Sequence, residues 1–90
     1  MTNFAADRET LRALADEGNE KALDRLADLA DELGDLDELN ELLDEGCERA
    51  GRFLTRRAVA AGDLRELQRL HDAGAEEAGD ELDRLLEPDD

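Results

Sequence analysis

The arginines between positions 49 and 57 are the residues best suited to chemistry. Arg49, Arg52 and Arg56 follow i, i+3, i+7 spacing, which sets them on one side of a helix, and Arg57 adjoins them. A forked guanidinium binds carboxylate or phosphate through two parallel hydrogen bonds. A ridge of them would dock a carboxylate-rich or phosphorylated partner, and Arg65 and Arg69 would extend it. The alternative is structural: the same arginines would pair with Asp24, Asp28, Asp80 and Asp83 on adjacent helices and hold them in register. Exposed pairs of this type are common and worth under about 1 kcal/mol each, and the sequence favours this plainer reading. Phe53 sits within the ridge, and as an aromatic among charges it would be either a contact for a partner or a half-buried filler beside Gly51.

The other reactive residue types make no constellation. Cys47 would start a helix, where the dipole favours thiolate, with Arg49 nearby, but Glu45 and Glu48 oppose ionisation and no base with an orienting residue accompanies it. His71, the one histidine, is expected to sit partly packed at the edge of the core. Asp35-Leu-Asp37 opens like a calcium loop, but Leu39 and Asn40 stand where a third ligand and the required glycine belong. Carboxylate pairs are so frequent that none singles out an acid/base site. With no nucleophile motif and no phosphate-binding glycine loop, the expectation is a non-catalytic protein without a cofactor or a metal.

The elements that position these residues come from repetition. Slid by 28 residues, the chain matches itself: Leu11, Leu39 and Leu67 align, as do Leu14, Leu42 and Leu70, Gly18, Gly46 and Gly74, Ala22, Ala50 and Ala78, and Leu26, Leu54 and Leu82. Such a period marks an array of supersecondary units, none able to bury its apolar face alone. The units are 7–34, 35–62 and 63–90, opened by Asp7, Asp35 and Asp63 within one domain. Each predicts two helices: about 8–17 and 20–33, 36–45 and 48–61, 64–73 and 76–86. Ala22, Leu26, Leu29, Ala30 and Leu33 form one expected buried stripe, and Leu36, Leu39, Leu42 and Leu43 another. Glycines end the helices, Asn19 caps the second, and Asp35 with Glu38, then Asp63 with Glu66, form capping boxes. Residues 3–6 read as a lead-in, Phe4 as a cover for the open end, and Pro88 as a stop before a frayed tail.

Short loops force neighbouring helices antiparallel. The expected fold is all-α, three tandem helix pairs stacked as a short α-solenoid, with a compact six-helix bundle as the alternative. Columns identical in all three units read as fold, whereas differing columns are free for function. Arg12, Asn40 and Gln68 form such a variable column on the first helices, which would line the concave face.

The run Leu14-Ala-Asp-Glu-Gly18-Asn-Glu-Lys-Ala22, followed by Leu26 and Gly34, resembles the Sel-like branch of tetratricopeptide-type repeats. It recurs through Gly46, Ala50, Leu54 and Gly62, and again through Gly74, Ala78 and Leu82. Units of that family are longer, carry an aromatic where Ala30 and Ala58 stand, and have a glycine-rich connection, here cut to Gly34-Asp35 and Gly62-Asp63. The resemblance implies stacked helix pairs and a role as an adaptor that holds other proteins.

Composition narrows the partner. There are 27 acidic residues against 11 basic ones, for a formal charge of −16, and ten of the basic residues are arginine. Nucleic acid and anionic membrane are disfavoured, since both need a basic face. The chain opens without a basic, then apolar, leader, so a cytoplasmic protein is expected, and its single cysteine excludes only an intrachain disulfide. Three functions fit: a protein-interaction or scaffold module with a protein partner; an acidic mimic that occupies a DNA- or RNA-binding protein; and a self-associating unit, a homodimer formed through the stack ends.

Overall fold

Leucine and alanine at helical spacing, broken by glycines alternately sixteen and twelve residues apart, dictate short helices with tight corners. The computed structural model describes residues 8–87 and shows six α-helices: α1 (Arg8–Asp16), α2 (Glu20–Leu33), α3 (Leu36–Asp44), α4 (Glu48–Ala61), α5 (Leu64–Asp72) and α6 (Glu76–Leu86). No strand occurs among the described residues. The expected lead-in, the Phe4 cover, the Asp7 opening and the Pro88 stop lie outside them.

Each corner is closed by one residue with two tasks. At the α2–α3 corner Gly34 takes the left-handed conformation (φ 70°), which lets Asp35 N–H donate back to the Ala30 carbonyl at 2.8 Å. Asp35 Oδ1 then accepts from Glu38 N–H at 3.1 Å and starts α3. Asp63 repeats the pattern, donating to the Ala58 carbonyl and accepting from Glu66 N–H. The reciprocal half of the expected capping boxes does not form, because those Asp N–H groups are already engaged. Glu38 turns instead to Arg8, and Glu66 to Arg69.

The helices pack as pairs, α1 with α2, α3 with α4 and α5 with α6, and each pair packs on the next. Among the described residues no helix of the first pair packs extensively against one of the third, an arrangement that suits a short solenoid and that a compact helical bundle also allows. The second helices form the tight row, α2 on α4 on α6, whereas the backbones of the first helices stay apart.

The core runs along the middle of both layers. Leu26, Leu39, Leu42, Leu67 and Leu70 are fully enclosed, and Ala22, Ala50 and Ala78 lie buried where paired helices meet. The leucine column is not uniform: Leu42 and Leu70 are fully buried, while Leu14 on α1, the first helix of the stack, is 37% exposed. Leu33 and Leu36 also depart from expectation, at 69% and 47% exposed. They flank the α2–α3 corner, where the chain reverses at the rim, and helical periodicity cannot register that a stripe has run past its neighbour. Ala50 has no free space around it, so Ala50→Leu should overpack the α3–α4 crossing and lower stability by about 1 to 3 kcal/mol in urea unfolding.

Candidate interaction surface

On α4, Phe53 is half-buried against the core, with the guanidinium of Arg49 5.6 Å and that of Arg56 5.5 Å from its ring centre. Both lie within cation–π range. The two flanking arginines differ in what else they hold. Arg49 Nε donates to Asp28 Oδ1 on α2 at 2.5 Å, and this hydrogen bond raises its pKa; Arg57 donates to the Asp31 carboxylate and carbonyl, also on α2. These two therefore tie the first unit to the second through direct pairs with Asp28 and Asp31; Asp24 acts on Arg49 only by its charge, and Asp80 and Asp83 pair with neither. Arg52 and Arg56 make no ion pair among the described residues and are both exposed, Arg56 lying over the Phe53 ring. Phe53 thus fills space against the core, as the filler reading expects, and also carries two guanidinia of its own helix.

Arg65 and Arg69 do not extend this ridge. Arg69 on α5 donates to Asn40 Oδ1 on α3 at 2.7 Å and to Glu66, placing it in the layer of first helices, while Arg49 and Arg57 act within the layer of second helices. Arg65 is exposed, with no ion pair among the described residues. The variable column of the first helices is occupied within the chain: Arg12 holds Asp16 and Glu45, Asn40 Nδ2 donates to the Leu36 carbonyl, and Gln68 donates to Asp72. Arg8 to Glu38 and Arg12 to Glu45 bridge α1 to α3 across the gap that the splayed backbones leave. The ten candidate residues fall into two groups on opposite layers.

The joints between units show what the sequence reading missed. Cys47, the N-cap residue of α4, is buried with its Sγ 3.8 Å from the Leu23 carbonyl on α2. One period on, a Cβ placed on Gly51 would stand 3.3 Å from Ala75 Cβ, so Ala75 meets Gly51 as Cys47 meets Leu23. Gly51 also lies against Leu43 Cδ1, at 3.2 Å from such a Cβ, and Gly79 lies beneath His71, at 2.5 Å from Nδ1. Two columns thereby exchange volume: Ala15 with Leu23, Leu43 with Gly51, His71 with Gly79. That trade between positions eight apart was the available signal, and it explains why Gly is tolerated inside α4 and α6. His71 itself is exposed, lying across α6 rather than packed into the core edge.

Burial raises the Cys47 thiol, and the Asp24 carboxylate adds to that against N–H groups of Ala50 and Arg49 that lower it. The helix dipole does not make a reactive thiolate here. Thr55 is buried on α4, and its Oγ1 has no hydrogen-bond partner, a cost that Ala27 avoids in the same column of the first unit. No group of three or more His, Cys, Asp or Glu among the described residues converges as a metal site. Asp35 serves as a cap and Asp37 is exposed.

No protein-family model matches the chain, and searches of curated proteins and of solved structures return no significant match.

Two substitutions test these joints. Thr55→Val keeps the shape and removes the unsatisfied hydroxyl, and it should raise unfolding stability by about 1 kcal/mol. The native Cys47 thiol should be alkylated at the rate of unfolding. Because its folded pKa lies above the unfolded one, the stability it contributes is full below the unfolded value, about 8.5, and is lost as pH rises through the folded value. Cys47→Ala should flatten that alkaline decline, measured as the urea midpoint against pH.

Proposed function

We propose that the chain is a non-catalytic protein-interaction or scaffold module that presents the α4 ridge to an acidic segment of a protein partner. The observation that carries this reading is the pairing state of the ridge. Arg49 and Arg57 are spent on α2, while Arg52 and Arg56, the latter over the half-buried Phe53 ring, remain without carboxylates in a chain of charge −16. Leaving two guanidinia unpaired amid so many acids makes sense if a partner supplies the anion, and an aromatic beneath one of them adds apolar contact at the centre of the patch. The linear stack supports the same reading, since repeat arrays offer extended surfaces rather than closed pockets. A shortened relationship to Sel-like repeats belongs to this reading, as does a cytoplasmic setting. Among the described residues no helix is long and apolar enough to cross a membrane.

The excess of carboxylates favours a second reading, an acidic mimic occupying a nucleic-acid-binding protein. Glu9, Glu17, Glu20, Glu41 and Glu48 are exposed with no ion pair among the described residues.

Arg52→Glu with Arg56→Glu should abolish capture of the partner from cell extract while leaving helicity unchanged, because neither arginine holds an ion pair in the fold. Melting of the double variant would show the arginines to be structural. Loss of every partner at about 0.5 M salt, where charge pairs are screened within a few ångström, would favour the mimic.

A further inference from the structure

The antiparallel corners give the stack two unlike rims. At one rim the first helices end and the second begin, through Glu17-Gly18-Asn19, Glu45-Gly46-Cys47 and Ala73-Gly74-Ala75, and no large apolar side chain is exposed in these corners. At the other rim the second helices end and the first begin, and there Leu33, Leu36 and Leu64 stand in solvent, at 69%, 47% and 40% exposed. Leu33 and Leu36 straddle a single corner, and Leu64 occupies the Leu36 position one unit further along. Exposed leucine is costly and, where it gathers at one edge, marks a contact surface.

The charges around this rim decide what fits it. Glu32, Asp35, Asp37 and Asp63 surround the leucines, and no ion pair engages any of them among the described residues. Asp35 and Asp63 accept cap hydrogen bonds there. The cations nearby are Arg8 and Arg57, both already paired to Glu38 and Asp31, and Arg65, which is unpaired. The rim is therefore apolar at its centre and net anionic around it. A second copy of this chain would bring the same carboxylates against it, and a membrane of anionic lipid would be repelled.

We infer that the rim carrying Leu33, Leu36 and Leu64 docks a short amphipathic segment of a protein partner in which apolar residues are flanked by lysine or arginine. The leucines bury apolar side chains of the segment, and Glu32, Asp37 and Asp63 meet its cations. This surface is separate from the α4 ridge, faces a partner of opposite charge, and stands or falls without it.

The test uses the full chain and a synthetic amphipathic helix of leucine and lysine, with a scrambled peptide of the same composition as control. Methyl NMR should show shifts at Leu33, Leu36 and Leu64 with the amphipathic peptide. Leu33→Asn with Leu36→Asn should weaken binding about tenfold, equivalent to about 1.4 kcal/mol, and leave the circular dichroism unchanged, since both side chains are already solvent-exposed. Arg52→Glu with Arg56→Glu should leave this binding no weaker. Equal affinity for the scrambled peptide, or equal affinity in the leucine variant, would overturn the proposal and leave only general attraction of cations to an acidic protein. Dimerisation of the free chain that disappears in the leucine variant would overturn it in favour of self-association. Binding to neutral lipid vesicles in preference to the peptide would overturn it in favour of a membrane.

Discussion

The fold depends on the hydrogen bond that follows each left-handed glycine. The residue after the glycine donates its N–H back across the end of one helix, Asn19 to Leu14, Asp35 to Ala30, Cys47 to Leu42, Asp63 to Ala58 and Ala75 to Leu70. The same residue is the N-cap of the next helix. Reversal of the chain is thus settled within two or three residues, before any leucine finds its neighbour. Only then can short helices, too short to persist alone, gain their stability by burying one face against an antiparallel partner.

The cap residue also shows how the corners became joints. Asn19 and the two aspartates cap with side-chain oxygens, whereas Cys47 and Ala75 make no side-chain cap bond. Cys47 and Ala75 face the preceding unit and are buried there, so apolar contact replaces the cap. The two joints use different adhesives. Between the first and second units Asp28 holds Arg49 and Asp31 holds Arg57. One period on, the Asp31 and Arg57 columns contain Val59 and Leu85, and Val59 packs against the core. The Asp28 and Arg49 columns hold Arg56 and Glu77, of reversed sign, and Arg56 lies over Phe53 instead.

Most of the fold was legible because it is local. Helix ends follow from glycine and from Asn or Asp, and the observed boundaries fall within a residue of those the spacing predicts. What the sequence could not report is where each stripe meets its neighbour. Leu33 and Leu36 have the right period for burial but lie at the rim, 69% and 47% exposed. The arginine ridge was partly legible: its residues share α4, but which carboxylate each would take depended on the stagger between α2 and α4. Arg69 could not be assigned to the other layer from sequence spacing, because that needs the two-layer geometry.

Equivalent corners carry a consequence for how such a chain can change. Gly34 and Gly62 adopt nearly the same angle, φ 70° and 66°, and each is followed by an aspartate that caps in the same way. Excision of 35–62 would splice Gly34 onto Asp63 with the backbone hardly disturbed, so length is adjustable in whole steps. The facing side chains are less permissive. After that splice Asp28 would confront Glu77 in place of Arg49, carboxylate against carboxylate. The main chain tolerates shuffled units, and the side chains fix their order.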